Sequence, residues 1–193
     1  YKIQDEPKGL PDAFIIGEDF IGNDKVCLLL GDNIFYADRF VNKHLLPNFE
    51  SKDATVFGYN VNDPERYGVV EFNEKKEVIS IEEKPANPKS NYAVTGLYIF
   101  NSDVSEIAKK LKPSERGETE IVDIINHYLN KGQLRVELLG RGVSWLDTGT
   151  HHSLHEASTY IEVIENRQGL KVACIEEIAY TKGFISKEDL LKL

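Results

Sequence analysis

A continuous apolar run, Val26-Cys27-Leu28-Leu29-Leu30, stops abruptly at Gly31-Asp32-Asn33. Five apolar residues without polar alternation describe a strand covered on both faces, as in a parallel sheet. A second such strand is expected at residues 55–61, further strands at 92–100 and 134–139, and helical periods occupy residues 10–20, 103–111, 118–129 and 150–167. Val69-Val70-Glu71-Phe72 and Val78-Ile79-Ser80-Ile81, separated by turn-prone polar residues, read as a β-hairpin. Ser102 or Asp103 is placed to cap the helix over 103–111, and Ser186-Lys187-Glu188-Asp189 resembles a capping box with Asp in place of Glu. The expectation is an α/β fold with a mostly parallel mixed sheet and a β-hairpin insertion, whose ligands bind beyond the carboxyl ends of its strands.

Composition excludes several functions. The 193 residues carry 32 acidic and 23 basic side chains, a net charge of −9, so no cationic face is available for nucleic acid. No apolar run approaches the ~20 residues of a membrane span. Cys27 and Cys174 each lie in apolar surroundings and read as free thiols serving as small hydrophobes. With no leader pattern, the cytoplasm is the expected compartment.

Four segments can carry chemistry. Asp32, directly after a buried strand, and Asp147, in Trp145-Leu146-Asp147-Thr148-Gly149-Thr150, are two carboxylates at a sheet edge, and such a pair suits magnesium, which takes hard oxygens and completes its shell with substrate phosphate. The plainer readings are a turn aspartate at 32, a helix cap at 147 or 148, and a core role for Trp145. Glu82-Glu83-Lys84-Pro85 ends a strand with a carboxylate for sugar hydroxyls and an ammonium for phosphate, or is a solvated hairpin tail. Arg116, in Ser114-Glu115-Arg116-Gly117-Glu118, suits a phosphate contact or a helix-start ion pair. His151, His152 and His155 lack the H-E-x-x-H spacing of a zinc helix, and neither a nucleophile elbow nor a P-loop occurs.

Taken in order, Gln4-x-x-Pro7-x-Gly9-Leu10, Leu30-Gly31-Asp32-Asn33, Asp63-Pro64-Glu65-Arg66-Tyr67-Gly68-Val69-Val70, Glu82-Glu83-Lys84-Pro85-x-x-Pro88-Lys89-Ser90, Tyr92-Ala93-Val94-Thr95-Gly96-Leu97-Tyr98, Arg116-Gly117-Glu118 and Trp145-Leu146-Asp147-Thr148-Gly149-Thr150 resemble the glucose-1-phosphate thymidylyltransferases. The resemblance implies a Rossmann-like nucleotidyltransferase fold that makes dTDP-glucose and pyrophosphate from dTTP and glucose 1-phosphate. It further implies Mg2+ dependence, a homotetramer, and entry into dTDP-L-rhamnose and polysaccharide synthesis. By motif position, Gln4 and Gly9 contact the thymine, and Asp32 and Asp147 hold the metal. Tyr67, Gly68, Glu83 and Val94 surround the glucose, Lys84 and Arg116 grip the sugar phosphate, and Trp145 walls the site. Residues 1–167 are expected to form the core. Residues 168–193 resemble the C-terminal helices of long-form enzymes, which serve assembly and an effector site.

The family's G-G-x-G-[ST]-R loop and its P-K-x-L-L segment do not occur in the sequence. Asn42-Lys43-His44-Leu45-Leu46-Pro47 resembles the latter only superficially and reads as a helix end. The expectation is therefore an N-terminally incomplete catalytic core, inactive alone and able at most to bind sugar phosphate. Alternatives are a non-catalytic sugar-nucleotide-binding or regulatory protein, a glycosyltransferase of similar topology, and a UTP-using uridylyltransferase.

Overall fold

The structure is a computed structural model that describes residues 1–114 and 116–193, so Glu115 lies outside the described residues. In chain order the elements are α1 (Asp12–Ile16), α2 (Glu18–Ile21), β1 (Val26–Leu29), β2 (Asn33–Tyr36), a π-helical turn (Val41–Leu45) leading into α3 (Leu46–Phe49), and β3 (Ala54–Asn60). A short 3-10 turn (Pro64–Arg66) precedes β4 (Gly68–Phe72), β5 (Val78–Glu83), β6 (Tyr92–Phe100), α4 (Val104–Ala108), α5 (Ile121–Asn130), β7 (Leu134–Leu139) and β8 (Ser144–Asp147). The helices α6 (His151–Gln168), α7 (Ile175–Thr181) and α8 (Lys187–Leu190) follow. The chain forms two compact units, Tyr1–Trp145 and Leu146–Leu193.

The first unit is organised around β6, buried at every residue but its first. Along one edge β3 runs antiparallel to it, Thr55 opposite Ile99 and Asn60 opposite Tyr92, with a bulge between Val56 and Gly58. Two strands share the other edge: β1 pairs antiparallel from Val26 opposite Phe100 to Leu29 opposite Leu97, and β4 joins at Val69 opposite Ala93. β5 extends the sheet as the hairpin partner of β4, and β7 lies parallel to β3. The two-residue period of β3 and β6 sends Val56 and Phe100 to one face and Phe57 and Ile99 to the other. On the first face they meet Phe14 of α1, Val104 of α4 and Ile124, Ile125 and Tyr128 of α5. Phe14 packs edge-on against Phe100 and Tyr128 stacks on it. On the second face, Phe57, Leu97 and Ile99 pack with Leu139 and Val143.

The α/β class, the hairpin and most strand positions agree with the sequence reading. The expected mostly parallel sheet does not: among these pairings only β3 with β7 is parallel. Apolar runs report burial, which any central strand shares, and carry no information on strand direction. Nor is β1 covered on both faces, since Cys27 is exposed and Leu29 is 54% exposed. Gly17 divides the helix expected over residues 10–20 into α1 and α2. Asp103 caps nothing with its side chain, because its carboxylate accepts the Tyr128 hydroxyl. Burial and that carboxylate together push the Tyr128 phenol well above its usual range. Residues 42–47 lie within the π-helical turn and α3 and do not form a helix end.

The second unit begins on a capping box, in which Thr150 and Ser153 exchange side-chain and backbone hydrogen bonds at the start of α6. Gly169, at a left-handed φ of +69°, ends the helix. The expected Ser186–Asp189 box opens α8. The division falls after Trp145, earlier than the expected boundary at 167/168, and it groups α6 with the C-terminal helices. No helix among the described residues is long and apolar enough to cross a membrane.

Candidate active site

The β4–β5 hairpin sets Gly68 opposite Glu83. A Cβ at Gly68 would lie 3.1 Å from Val122 Cγ2, 3.5 Å from Glu83 Oε2 and 3.7 Å from Val94 Cβ, so a side chain here would press on Val122 and touch the other two. Three of the residues expected around a sugar are thus in one place. Lys84 follows β5 directly; its N–H donates to the Tyr67 carbonyl at 3.0 Å, and its φ of +43° is left-handed, a strained setting for a residue with a Cβ.

Both cations expected to grip phosphate reach the same carboxylate. Lys84 Nζ lies 3.8 Å and Arg116 Nη1 4.0 Å from Glu83 Oε1. Arg116 Nη1 is also 3.5 Å from Glu120 Oε1, the ion pair that was the plainer reading of this residue. Burial pushes the Glu83 carboxyl up; Lys84 and Arg116 oppose that, whereas Glu120 and Asp123 add to it. A half-buried carboxylate with two cations beside it can accept hydroxyls while the cations receive an anion.

An aromatic wall borders this cluster. Trp145, 8% exposed, meets the rings of Tyr67 and Tyr59 edge-on with centroids 5.2 and 5.8 Å away. The Arg66 guanidinium sits over Tyr67 at 5.2 Å. The indole Nε1–H donates to Asn33 Oδ1 at 2.6 Å, the Gly96 N–H donates to the same oxygen at 3.0 Å, and Asn33 Nδ2 donates to Asp32 Oδ1 at 2.8 Å. Asn33 therefore connects Asp32 to the wall. The sequence reading quoted Asn33 inside its motif without giving it a role; its signal was a carboxamide beside a candidate ligand. Burial raises the Tyr98 phenol far above its usual range, and the charges of Glu83 and Asp32 act in the same direction.

Gln4 and Gly9 are joined to the Arg116 loop. Gln4 Nε2 donates to Asp12 Oδ2 at 3.0 Å and more weakly to the Gly9 carbonyl. The N–H and the hydroxyl of Thr119 both donate to the Lys8 carbonyl at 2.9 Å. At Gly9, with a φ of +104°, a Cβ would collide with the Thr119 carbonyl oxygen. The segment expected to touch the base thus rests on the loop expected to hold the phosphate.

Asp147 belongs to the second unit, where its Oδ1 accepts the Gly149 N–H at 3.0 Å; Thr150, not Asp147, caps α6. His152 pairs with Glu156 at 3.4 Å on that helix. No group of three or more His, Cys, Asp or Glu among the described residues is arranged to hold a metal.

Residues 1–163 match the nucleotidyl transferase family. The chain belongs to that family. A glucose-1-phosphate thymidylyltransferase of Neisseria meningitidis is 55% identical over 193 residues, covering 100% of this chain and 67% of its own length. One from Xanthomonas campestris is 53% identical over the whole chain and 65% of its own length. A sucrose-bound crystal structure from Bacillus anthracis, assigned to the same activity, superposes with a TM-score of 0.73 at 43% identity, over 83% of this chain and 63% of that one. The mixed α/β fold is therefore that of the family, and the resemblance read from the seven motifs is borne out. The chain spans about two thirds of the length of these curated relatives.

Proposed function

We propose that the chain is the sugar-phosphate-binding part of a glucose-1-phosphate thymidylyltransferase, which joins dTTP to glucose 1-phosphate and releases pyrophosphate. The observation that carries this reading is the convergence of Gly68 and Val94 on Glu83, whose carboxylate faces both Lys84 and Arg116, with Tyr67 of the adjoining turn packed on Trp145. In the reaction a phosphate oxygen of the sugar attacks the α-phosphorus of the nucleotide in line. The difficulty is to bring two anions together and hold them aligned.

Each group has a distinct task. Lys84 and Arg116 release their hold on Glu83 to neutralise the sugar phosphate, and Glu83 is then available to accept sugar hydroxyls. Gly68 and Val94 offer backbone at close range, Tyr67 and Trp145 exclude water, and Gln4 and Gly9 meet the thymine. No general base is required, because a phosphate monoester is already largely ionised near neutral pH.

Asp32 and Asp147 supply hard carboxylate oxygens; Asp32 accepts from Asn33 Nδ2 and Asp147 from the Gly149 N–H. That donor chemistry fits Mg2+, which takes one or two carboxylates with substrate phosphate. When bound, the ion would reduce phosphate repulsion. Cytoplasmic location, a homotetramer assembled through the C-terminal helices, and supply of dTDP-glucose to rhamnose and polysaccharide synthesis belong to the same reading.

The family's glycine-rich phosphate loop is not among the 193 residues. The proposal is accordingly that the chain alone binds glucose 1-phosphate without turning over dTTP. Product analysis tests the thymidylyltransferase assignment: protein containing the loop should form dTDP-glucose from dTTP far faster than UDP-glucose from UTP. Preference for UTP would replace the thymidylyl assignment, and no nucleotide sugar from either would reject the transferase.

A further inference from the structure

Arg116 Nη1 faces two carboxylates. Besides Glu83, its guanidinium faces Glu120, whose side chain is only 16% exposed. Glu120 also accepts the Ser114 hydroxyl at 2.8 Å, and Ser114 Oγ in turn accepts the Arg116 backbone N–H at 3.2 Å. The Ser114 carbonyl accepts the Gly117 N–H at 2.9 Å. These bonds close a ring that runs from the carboxylate through the serine and the loop backbone to the guanidinium and back. Glu120 occupies the residue before α5 in extended conformation and its side chain makes no capping bond. Its carboxylate is committed to the loop instead.

We infer that Glu120 is the positioning residue for Arg116 in sugar-phosphate binding, an inference that rests on the function proposed above. Glu83 cannot serve as the anchor, because it must turn to the sugar when substrate enters. The Arg116–Glu120 contact is the shorter of the two, 3.5 Å against 4.0 Å from the same Nη1. With Glu120 neutralised, the guanidinium is left to Glu83 alone, which draws it off the phosphate and occupies the group the sugar needs. Glu120 itself touches no substrate atom.

The test is a double-mutant cycle in full-length protein, reading KM separately for each substrate. Glu120→Gln should raise KM for glucose 1-phosphate about tenfold, as expected for loss of one charge-assisted contact, and Ser114→Ala about threefold, because the serine acts on Arg116 only by orienting Glu120 and the loop backbone. KM for dTTP should stay unchanged. In an Arg116→Ala background, Glu120→Gln should cost nothing further, because coupled residues do not add. Equal effects in both backgrounds, or a parallel rise in both KM values, would make Glu120 merely structural and overturn the inference. If Arg116→Ala raises KM and Glu120→Gln does not, the inference falls alone. If Arg116→Ala leaves KM unmoved, the phosphate role of Arg116 falls and this inference with it.

Discussion

The indole of Trp145 donates a 2.6 Å hydrogen bond to the carboxamide oxygen of Asn33, and Asn33 passes the connection on to Asp32. Trp145 is the only tryptophan in the sequence, so its emission reports this contact without ambiguity. Asn33→Ala should shift that emission and weaken its response to glucose 1-phosphate. An emission spectrum and response identical to the wild type would separate the wall from Asp32.

Gly96 lies beneath the same carboxamide, where a Cβ would stand 2.6 Å from Asn33 Cγ. Gly96→Ala should cost about 1–3 kcal/mol, the range for overpacking a buried site. In an Asn33→Ala background the cost should fall well below that, because the obstructing group is gone. Chemical denaturation of the four proteins checks this; a cost independent of Asn33 would assign the strain elsewhere.

Lys84 combines an unfavourable backbone with a proposed phosphate contact. Lys84→Gly removes the Cβ from a left-handed φ, which relieves roughly 1 kcal/mol before glycine's greater unfolded-state freedom offsets part of it. The variant should therefore melt at or above the wild-type temperature while its dependence on glucose 1-phosphate is severely weakened. Lower stability, or an unchanged sugar-phosphate response, would remove Lys84 from one of these two roles.

Glu83 gives a pH signature. Its folded-state pKa is raised chiefly by burial, so below the ordinary carboxylate range both folded and unfolded chains hold the proton and the group costs nothing. As pH rises from that range through the raised folded value, the folded state must bear a charge the unfolded chain carries more easily, and stability is lost. Glu83→Gln should therefore be more stable than the wild type at neutral pH, with the difference closing below about pH 4, while its affinity for glucose 1-phosphate drops. Thermal melts across pH decide this, and a less stable variant at pH 7 would show that the Lys84 and Arg116 contacts outweigh burial.

Much of this architecture was legible in the sequence because it rests on period and punctuation. β6 and β7 fall at the expected residues, and Thr150 begins the long helix as its chemistry requires. Strand direction was not legible: β1 and β3 flank an antiparallel β6, and residues far apart in sequence decide that. Short segments were lost for a similar reason, since β2 has only four residues and its Asn33 is fixed by Trp145, 112 positions away. Within the site, Gly68, Glu83 and Val94 converge as the motifs implied. Glu120 was invisible, because the helical period begins at residue 118 and places it within the helix, whereas α5 begins at Ile121 and Glu120 turns to Arg116.

The central claim is transfer of a thymidylyl group to glucose 1-phosphate, and pyrophosphate release by full-length protein measures it most directly. The account predicts release from dTTP only when glucose 1-phosphate and Mg2+ are both present. It further predicts that Asp32→Ala and Asp147→Ala each lower the rate by about 100-fold or more, the scale of losing a major electrostatic group at a reacting centre, with folding intact. Release without the sugar phosphate, or near-wild-type rates in either variant, would contradict it.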